Sequence, residues 1–204
     1  MFMKLCSFAE LNSEAQETAI SHYRDNMAGE DFRYAAEYTV NEFKDIMAIL
    51  GFNITDVFYS VSHCQGDGAS FKGTYNYPTN WHNNLTAFFG EGSTELTEWV
   101  SFGERLRLLQ RPRFYALTCT ISAKGHYNHS GSMEIESGYG YALESDLLAI
   151  FREMADKLYR DLLKDDEYVY TTSTIVENIT SNENLAYDRK GRLIDESLIE
   201  REGE

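Results

Sequence analysis

Two short polar segments contain residue types that could contact a ligand. The first is Gln65-Gly66-Asp67-Gly68, which we call the first tip. Two glycines around an aspartate allow positive φ angles and let backbone N–H groups come close to a bound group. The alternative interpretation is a tight turn in which the aspartate accepts hydrogen bonds from its own backbone. In and beside this tip, four side chains are predicted to bind a ligand: His63, Gln65, Asp67 and Ser70.

The second segment is His126-Tyr127-Asn128-His129, which we call the second tip. Its two histidines are three residues apart, close enough in a turn to share a metal ion. Zinc would need one or two further ligands, for which the candidates are His63, Cys64 and Asp67. Histidines in loops are more often solvated or hydrogen-bonded than bound to metal. The sequence therefore predicts no metal and no cofactor here, and three ligand-binding residues: His126, Tyr127 and His129.

The charge distribution along the chain is uneven. The formal net charge is −15, yet the segment 101–125 has a net charge of +4, so the rest of the chain carries −19. A basic segment that leads into the second tip suits a compact anion such as a phosphate, a nucleotide or a carboxylate. Alternatively, its arginines form ion pairs with the acidic helices. Three of them are predicted to bind the ligand: Arg105, Arg111 and Arg113.

The acidity of the whole chain limits its partners. A protein with a net charge of −15 is repelled by nucleic acid phosphates and by anionic lipid, which disfavours general nucleic-acid and membrane-surface binding. The charge serves either solubility or an acidic surface that imitates DNA. Three cysteines fit no disulfide framework, and no signal peptide or long apolar run is present. These features indicate a cytoplasmic protein.

The tips are expected to be held by two β-hairpins in an α+β fold. Periods near 3.6 predict two amphipathic helices before the hairpins, a helix between them and two helices after them. A capping box is predicted at Ser13 and Gln16. The predicted elements are helices near 13–28 and 31–50, a hairpin over 54–77, a loop over 79–94, a helix from Leu96 to Leu109, a hairpin over 114–137, a helix near 143–164, a helix from Thr174 and a small hairpin over 185–194.

This order of elements argues for an antiparallel sheet of hairpins packed with amphipathic helices, because alternating strands and helices would be needed for a parallel sheet. No linker or repeat divides the chain, so one domain is predicted over 1–204. The acidic residues 197–204 are predicted to form a frayed tail.

Three stretches occur in an order that resembles a known group of proteins: residues 8–19, the run Gln65-Gly66-Asp67-Gly68-Ala69-Ser70-Phe71, and residues 125–129. Together they resemble small bacteriophage-encoded proteins often labelled hypothetical or antitoxin-like. The resemblance covers most of the chain and is most specific at Gln65–Phe71. It implies a role in the host-cell cytoplasm, directed at a host protein or a nucleotide signal.

The sequence therefore predicts a binding protein rather than an enzyme, with a possible homo-oligomeric state. It would counter a host defence or toxin system by sequestering an anionic nucleotide-like ligand or by docking on a host protein. One alternative is a metal-assisted nucleotide-processing hydrolase that uses four residues of the tips: His63, Asp67, His126 and His129. Another is an acidic inhibitor that mimics DNA. The sequence leaves open whether the two tips meet.

Overall fold

A computed structural model describes residues 5–62, 64–124 and 127–194. It contains six α-helices and four β-strands, and the predicted α+β class is confirmed. The helices are α1 (Ser13–Asn26), α2 (Ala28–Ile49), α3 (Trp81–Phe89), α4 (Thr94–Gln110), α5 (Tyr141–Val169) and α6 (Thr172–Ser181). The strands are β1 (Phe52–Ser60), β2 (Gly68–Asn76), β3 (Thr118–Ala123) and β4 (Met133–Glu136).

The chain divides into two compact units. One comprises Met1–Ala36 with Lys164–Glu204, and the other comprises Glu37–Leu163. The unit boundaries lie within α2 and α5, which are continuous helices. A single domain over 1–204 remains a prediction, and the predicted tail at 197–204 lies outside the described residues.

The first unit packs α1 and α6 around a small apolar core. Ala15, Ala19 and Tyr23 lie on the predicted stripe of α1 and are buried. The cap of this helix is Asn12, whose side chain accepts a hydrogen bond from the Ala15 N–H at 2.9 Å. The prediction of a capping box at Ser13 is therefore wrong by one residue, since Asn12 itself satisfies an N–H of the first turn.

The second unit is built on the predicted antiparallel sheet, whose strand order is β1-β2-β3-β4. One face of the sheet is apolar and packs a cluster of aromatic rings. Phe52 on β1 has its ring 4.6 Å from Tyr75 on β2 and 4.8 Å from Phe151 on α5. Thr74, Thr120 and other polar side chains occupy the opposite face, as expected of an antiparallel sheet with one solvated side.

The predicted loop over 79–94 is wrong, because α3 occupies residues 81–89. Trp81 and Leu85 are one turn apart and are both buried. Gly103 of α4 lies directly against the Trp81 ring, where a β-carbon would collide with it. This close packing explains why a glycine is placed in the middle of α4, which continues through it to Gln110. A nine-residue helix with two buried positions gives too short a pattern to be recognised.

The register of the strands determines which loops share an end of the sheet. β2 runs from Gly68 to Asn76, and Asn76 pairs with Thr118 at the start of β3. Ala123 at the end of β3 pairs with Met133 at the start of β4. The first tip and the described residues of the second tip, 127–129, therefore lie at the Gly68 end of the sheet, whereas the segments before Thr118 and after Glu136 lie at the other end. None of the helices in the described ranges has the length and apolar composition that a membrane span requires.

Candidate functional site

Asp67 organises the first tip through its own hydrogen bonds. Its carboxylate accepts from the Ser62 N–H at 2.7 Å, the Cys64 N–H at 3.0 Å and the Ser60 hydroxyl at 2.7 Å. The Cys64 thiol also donates to it at 3.4 Å. These donors, with the Cys64 N–H contributing most, hold the pKa of Asp67 well below its usual range. Both carboxylate oxygens are thus occupied within the turn.

The two tips meet at the first tip's glycines. Gly66 has a φ of +105°, and a β-carbon there would lie 2.7 Å from the Tyr127 ring. Gly68 lies closer still to the backbone of the second tip, since its β-carbon would be 2.6 Å from the His129 Cα. The Asn128 side-chain amide donates to the backbone carbonyl of Tyr59 on β1 at 3.0 Å. The convergence therefore depends on contacts that no larger residue at these glycines would allow.

Between the tips lies an open cleft of about 370 Å³, which we call the tip cleft. Five residues line it: Gln65, Gly66, Asp67, Tyr127 and His129. The rings of the last two lie side by side, with centroids 5.7 Å apart and planes inclined by 30°. Tyr127 is 61% exposed. The cleft thus offers an accessible aromatic face, an imidazole and a side-chain amide to a ligand.

Ser70 does not line the tip cleft. It is 1% exposed on β2, and its hydroxyl has no hydrogen-bond partner in the described part of the chain. Side chains alternate along a strand, so Ser70 is on the same face as Gly68, against which the second tip packs. At 1% exposure its hydroxyl is not accessible to a ligand in the cleft. Two other predicted ligand-binding residues, His63 and His126, lie outside the described residues.

The three predicted arginines do not line the cleft either. Arg105 forms a bidentate pair with Glu153 of α5, at 2.5 and 2.7 Å, so the alternative of pairing with an acidic helix applies to it. Arg113 donates to the Leu109 carbonyl at the end of α4. Arg111 is exposed beside it. Arg111 and Arg113 precede Thr118 by a few residues and therefore lie toward the end of the sheet opposite the tips.

Several residues near the cleft carry no signal in the sequence. Tyr159 of α5 has a raised pKa because of burial and the nearby Asp67 carboxylate. Ser60 is identified only by its hydrogen bond to Asp67. A helical tyrosine and a strand serine are too common to be singled out without the fold. Asn128 was predicted only as part of the second tip, and its role is to anchor that tip to β1.

The thiol of Cys64 lies next to the cleft, in an environment that does not favour the thiolate. Cys64 is exposed, but its hydrogen bond to the Asp67 carboxylate raises the pKa of the thiol. A reactive cysteine needs the opposite environment, because the thiolate is the nucleophile. Within residues 5–62, 64–124 and 127–194, no group of three or more histidine, cysteine, aspartate or glutamate side chains could hold a metal ion.

Comparison with known proteins places both tips within a family. The chain belongs to the family described as Domain of unknown function (DUF8835), whose model matches residues 36–174. The matched region includes all four strands and every residue that lines the tip cleft. No curated protein and no solved structure gives a significant match.

Proposed function

We propose that this chain is a binding protein that captures a nucleotide-like ligand in the tip cleft. The observation that carries the proposal is the exposed ring of Tyr127 at the point where the two tips converge. Stacking of a base on an aromatic side chain contributes about 1–3 kcal/mol. The His129 ring lies beside it, with centroids 5.7 Å apart and planes inclined by 30°, and it widens the surface available to a planar ligand.

The other lining groups suit the edge of a base. The Gln65 amide offers both a donor and an acceptor, and the imidazole of His129 offers one of each in its neutral form. Polar groups of this kind fix the orientation of a ligand that an aromatic surface holds. A cleft of about 370 Å³ lies within the range of small-molecule sites.

Charge restricts how the ligand is oriented. The described lining contains no lysine or arginine, and the Asp67 carboxylate is already compensated by donors of its own loop. A phosphate group is therefore best placed toward solvent, where the side chains of Gln65, Tyr127 and His129 are the described lining groups that can donate to it. The base would be recognised in the cleft, and the anionic part would contribute less than the sequence suggests.

The setting we propose is bacteriophage counter-defence in the host cytoplasm. The resemblance of Gln65–Phe71 to phage-encoded proteins supports this setting. The planar base that nucleotide signals contain fits the aromatic surface of the cleft. In this role the protein would sequester a signal without turning it over.

Isothermal titration calorimetry with a panel of ligands tests the proposal. The panel contains purine and pyrimidine mononucleotides, cyclic dinucleotides, ADP-ribose, nucleosides and inorganic phosphate. We expect saturable binding of at least one nucleotide, weakened about 10- to 100-fold by Tyr127→Ala through loss of one stacking contact. The matched control is Tyr168→Ala, because Tyr168 is 62% exposed and lies outside the cleft.

The outcomes separate the alternatives. Binding that Tyr127→Ala leaves unchanged, or no binding by any ligand of the panel, contradicts the proposal. Chromatography of the titrated samples detects turnover, which would favour a hydrolase instead. A DNA mimic predicts a protein partner whose affinity falls steeply with added salt and is insensitive to Tyr127→Ala.

A further inference from the structure

A second surface of the same unit exposes aromatic rings at the end of the sheet opposite the tips. Phe114 is 94% exposed and Tyr115 is 80% exposed, and their rings are in edge-to-face contact with centroids 5.2 Å apart. Tyr141, at the start of α5, is 86% exposed, and Tyr139 is 43% exposed. We call these four rings the aromatic patch.

Two loops are fastened together beneath the patch. The Tyr139 hydroxyl donates to the Ala116 carbonyl at 3.4 Å and accepts from the Thr118 N–H at 3.3 Å. Gln110 at the end of α4 holds the first loop from the other side, donating to the Tyr115 carbonyl at 3.0 Å and accepting from the Leu117 N–H at 2.7 Å. The backbone that carries the rings is therefore fixed by hydrogen bonds, whereas the rings themselves face solvent.

The turn that carries Tyr139 and Tyr141 is also fixed. Glu144 accepts from the Ser137 N–H at 3.0 Å, the Ser137 hydroxyl at 2.9 Å and the Gly138 N–H at 3.2 Å. These bonds hold the pKa of Glu144 below its usual value, with the Ser137 hydroxyl contributing most. Of the two acidic residues that flank this turn, Glu144 is engaged by the turn itself, whereas Glu136 at the end of β4 is exposed.

The size of the patch argues for a function. At about 200 Å² per ring, the four rings expose about 600 Å². The largest contiguous apolar patch on a typical monomer is about 300–600 Å², and the three rings that described contacts bring together, those of Phe114, Tyr115 and Tyr139, account for about 430 Å² of the total. A standard protein interface covers about 800 Å² on each partner, so the patch and its immediate neighbours approach that area.

Charge around the patch selects the partner. Arg111 and Arg113 flank the rings, and residues 111–117 and 138–143 contain no acidic residue, although the whole chain has a charge of −15. Arg111 is exposed, with no acidic partner among the residues that the structure describes. Arginine next to exposed tyrosine and phenylalanine is the composition of protein-interface hot spots.

We infer that the aromatic patch, with Arg111 and Arg113, is a docking surface for an acidic segment of another protein that also carries apolar side chains. The segment's apolar groups would cover the rings, and its carboxylates would pair with the arginines. Nucleic acid fits less well, because its phosphates repeat every few ångströms and would meet the net charge of −15 beyond the patch. A second copy of the chain is the competing occupant, and sedimentation velocity tests for it.

This inference is independent of the tip cleft. β2 spans nine residues, so the two ends of the sheet are about 26 Å apart. Changes in the patch should leave nucleotide binding unaltered, and Tyr127→Ala should leave docking unaltered. A failure of either proposal can therefore be distinguished from a failure of the other.

The test is to pan a display library of 12-residue random peptides against the folded chain and to measure the selected peptides by fluorescence anisotropy. We expect enrichment of peptides with negative charge and at least one aliphatic or aromatic residue. Their affinity should fall at least tenfold with Phe114→Ala/Tyr115→Ala and with Arg111→Ala/Arg113→Ala. Tyr38→Ala is the control, because Tyr38 is 72% exposed on α2 and lies outside the patch.

Circular dichroism should show the same secondary structure in every variant, since the substituted rings are exposed. Two further measurements address the other occupants: binding of a labelled oligothymidine, and sedimentation velocity over a range of protein concentrations. The inference is overturned if no acidic peptide is enriched or if the patch variants bind the selected peptides as the wild type does. It is also overturned if the patch variants abolish oligothymidine binding or self-association while leaving peptide binding intact.

Discussion

Replacement of Gly66 by alanine tests the contact between the two tips. The substitution has two separable costs. An L-residue at a φ of +105° is strained by about 1–2 kcal/mol whatever surrounds it. In addition, the new methyl group would lie 2.7 Å from the Tyr127 ring and must displace it.

The second cost can be estimated from the burial of the ring. Tyr127 is 61% exposed, so about two-fifths of its surface is covered in the folded protein. For a side chain of about 200 Å² this is about 80 Å², which at about 25 cal/mol per Å² corresponds to at most about 2 kcal/mol. Because the ring can move and keep part of this cover, we expect an additional destabilisation of about 1 kcal/mol.

Gly140→Ala is the matched control. Gly140 has a φ of +92°, and nothing lies within 4 Å of the position that its β-carbon would take. It therefore shares the backbone strain of Gly66 without the contact. Gly66→Ala should reduce the free energy of unfolding by about 1 kcal/mol more than Gly140→Ala does. In a Tyr127→Ala background the two substitutions should cost the same, because the ring is no longer there to displace.

Urea denaturation followed by tryptophan fluorescence is the assay. Both tryptophans, Trp81 and Trp99, belong to the unit of residues 37–163 that contains Gly66 and Gly140, so the signal reports the relevant unfolding. Differences above about 0.5 kcal/mol exceed the usual deviation from additivity. Equal costs in the wild-type background would refute the convergence of the tips. If Gly66→Ala still costs more than Gly140→Ala in the Tyr127→Ala background, the additional destabilisation does not come from the Tyr127 ring.

Four further predictions concern single groups. Asp67→Asn should lower stability at neutral pH and reduce the loss of stability as the pH falls below about 4, where an ordinary aspartate is protonated. Urea midpoints measured against pH check this. A loss of stability at acid pH equal to that of the wild type would contradict it. The same substitution should speed the reaction of the Cys64 thiol with a disulfide reagent near pH 8, because the carboxylate that raises its pKa is gone. The Tyr23 hydroxyl donates to the Asp31 carboxylate at 2.8 Å, and burial together with this hydrogen bond raises the pKa of Tyr23 to about 12. The hydroxyl therefore contributes its full stabilisation below pH 10, and this stabilisation is lost as the pH rises through about 12. Tyr23→Phe should therefore reduce the free energy of unfolding by about 1–3 kcal/mol at neutral pH, and it should reduce the loss of stability at alkaline pH measured by circular dichroism. A loss at alkaline pH equal to that of the wild type would count against this. Ser70→Ala should leave both stability and nucleotide binding within error, or raise stability by up to about 1 kcal/mol, because it removes a buried hydroxyl that lacks a described partner; a loss of binding would show that Ser70 reaches the ligand.

The elements that the sequence predicted are those with a repeated pattern. The stripe of α1 and the alternation along the two hairpins recur often enough to be read without the fold. α3 was missed because it has only two buried positions, Trp81 and Leu85, and Trp81 packs on Gly103, which is 22 residues away in the chain. Ser70 was predicted to face a ligand because polar side chains are dense around the first tip, whereas in the folded protein it is 1% exposed.

The placement of the arginines shows why order along the chain misleads. Arg111 and Arg113 come shortly before the second tip in the sequence, which suggested that they approach it. In an antiparallel hairpin, however, the residues before the outgoing strand lie at the end opposite the turn. β3 runs from Thr118, which pairs with Asn76, toward the second tip. Arg111 and Arg113 precede Thr118, so they lie at the end of the sheet where the aromatic patch is. The register of β2 with β3 decides this, and the composition of the segment contains no information about it.

This separation changes what the two surfaces can recognise. The described lining of the tip cleft has aromatic and hydrogen-bonding groups without a cation, whereas the aromatic patch has two flanking arginines. A nucleotide-like ligand and an acidic protein segment would therefore bind at opposite ends of one sheet without competing. Substitutions more than about 10 Å apart that share no contacts are additive in free energy. A Tyr127→Ala/Phe114→Ala/Tyr115→Ala variant should accordingly bind the nucleotide as weakly as Tyr127→Ala does and the peptide as weakly as Phe114→Ala/Tyr115→Ala does. A difference in either binding free energy beyond about 0.5 kcal/mol would show that the sheet couples the two ends.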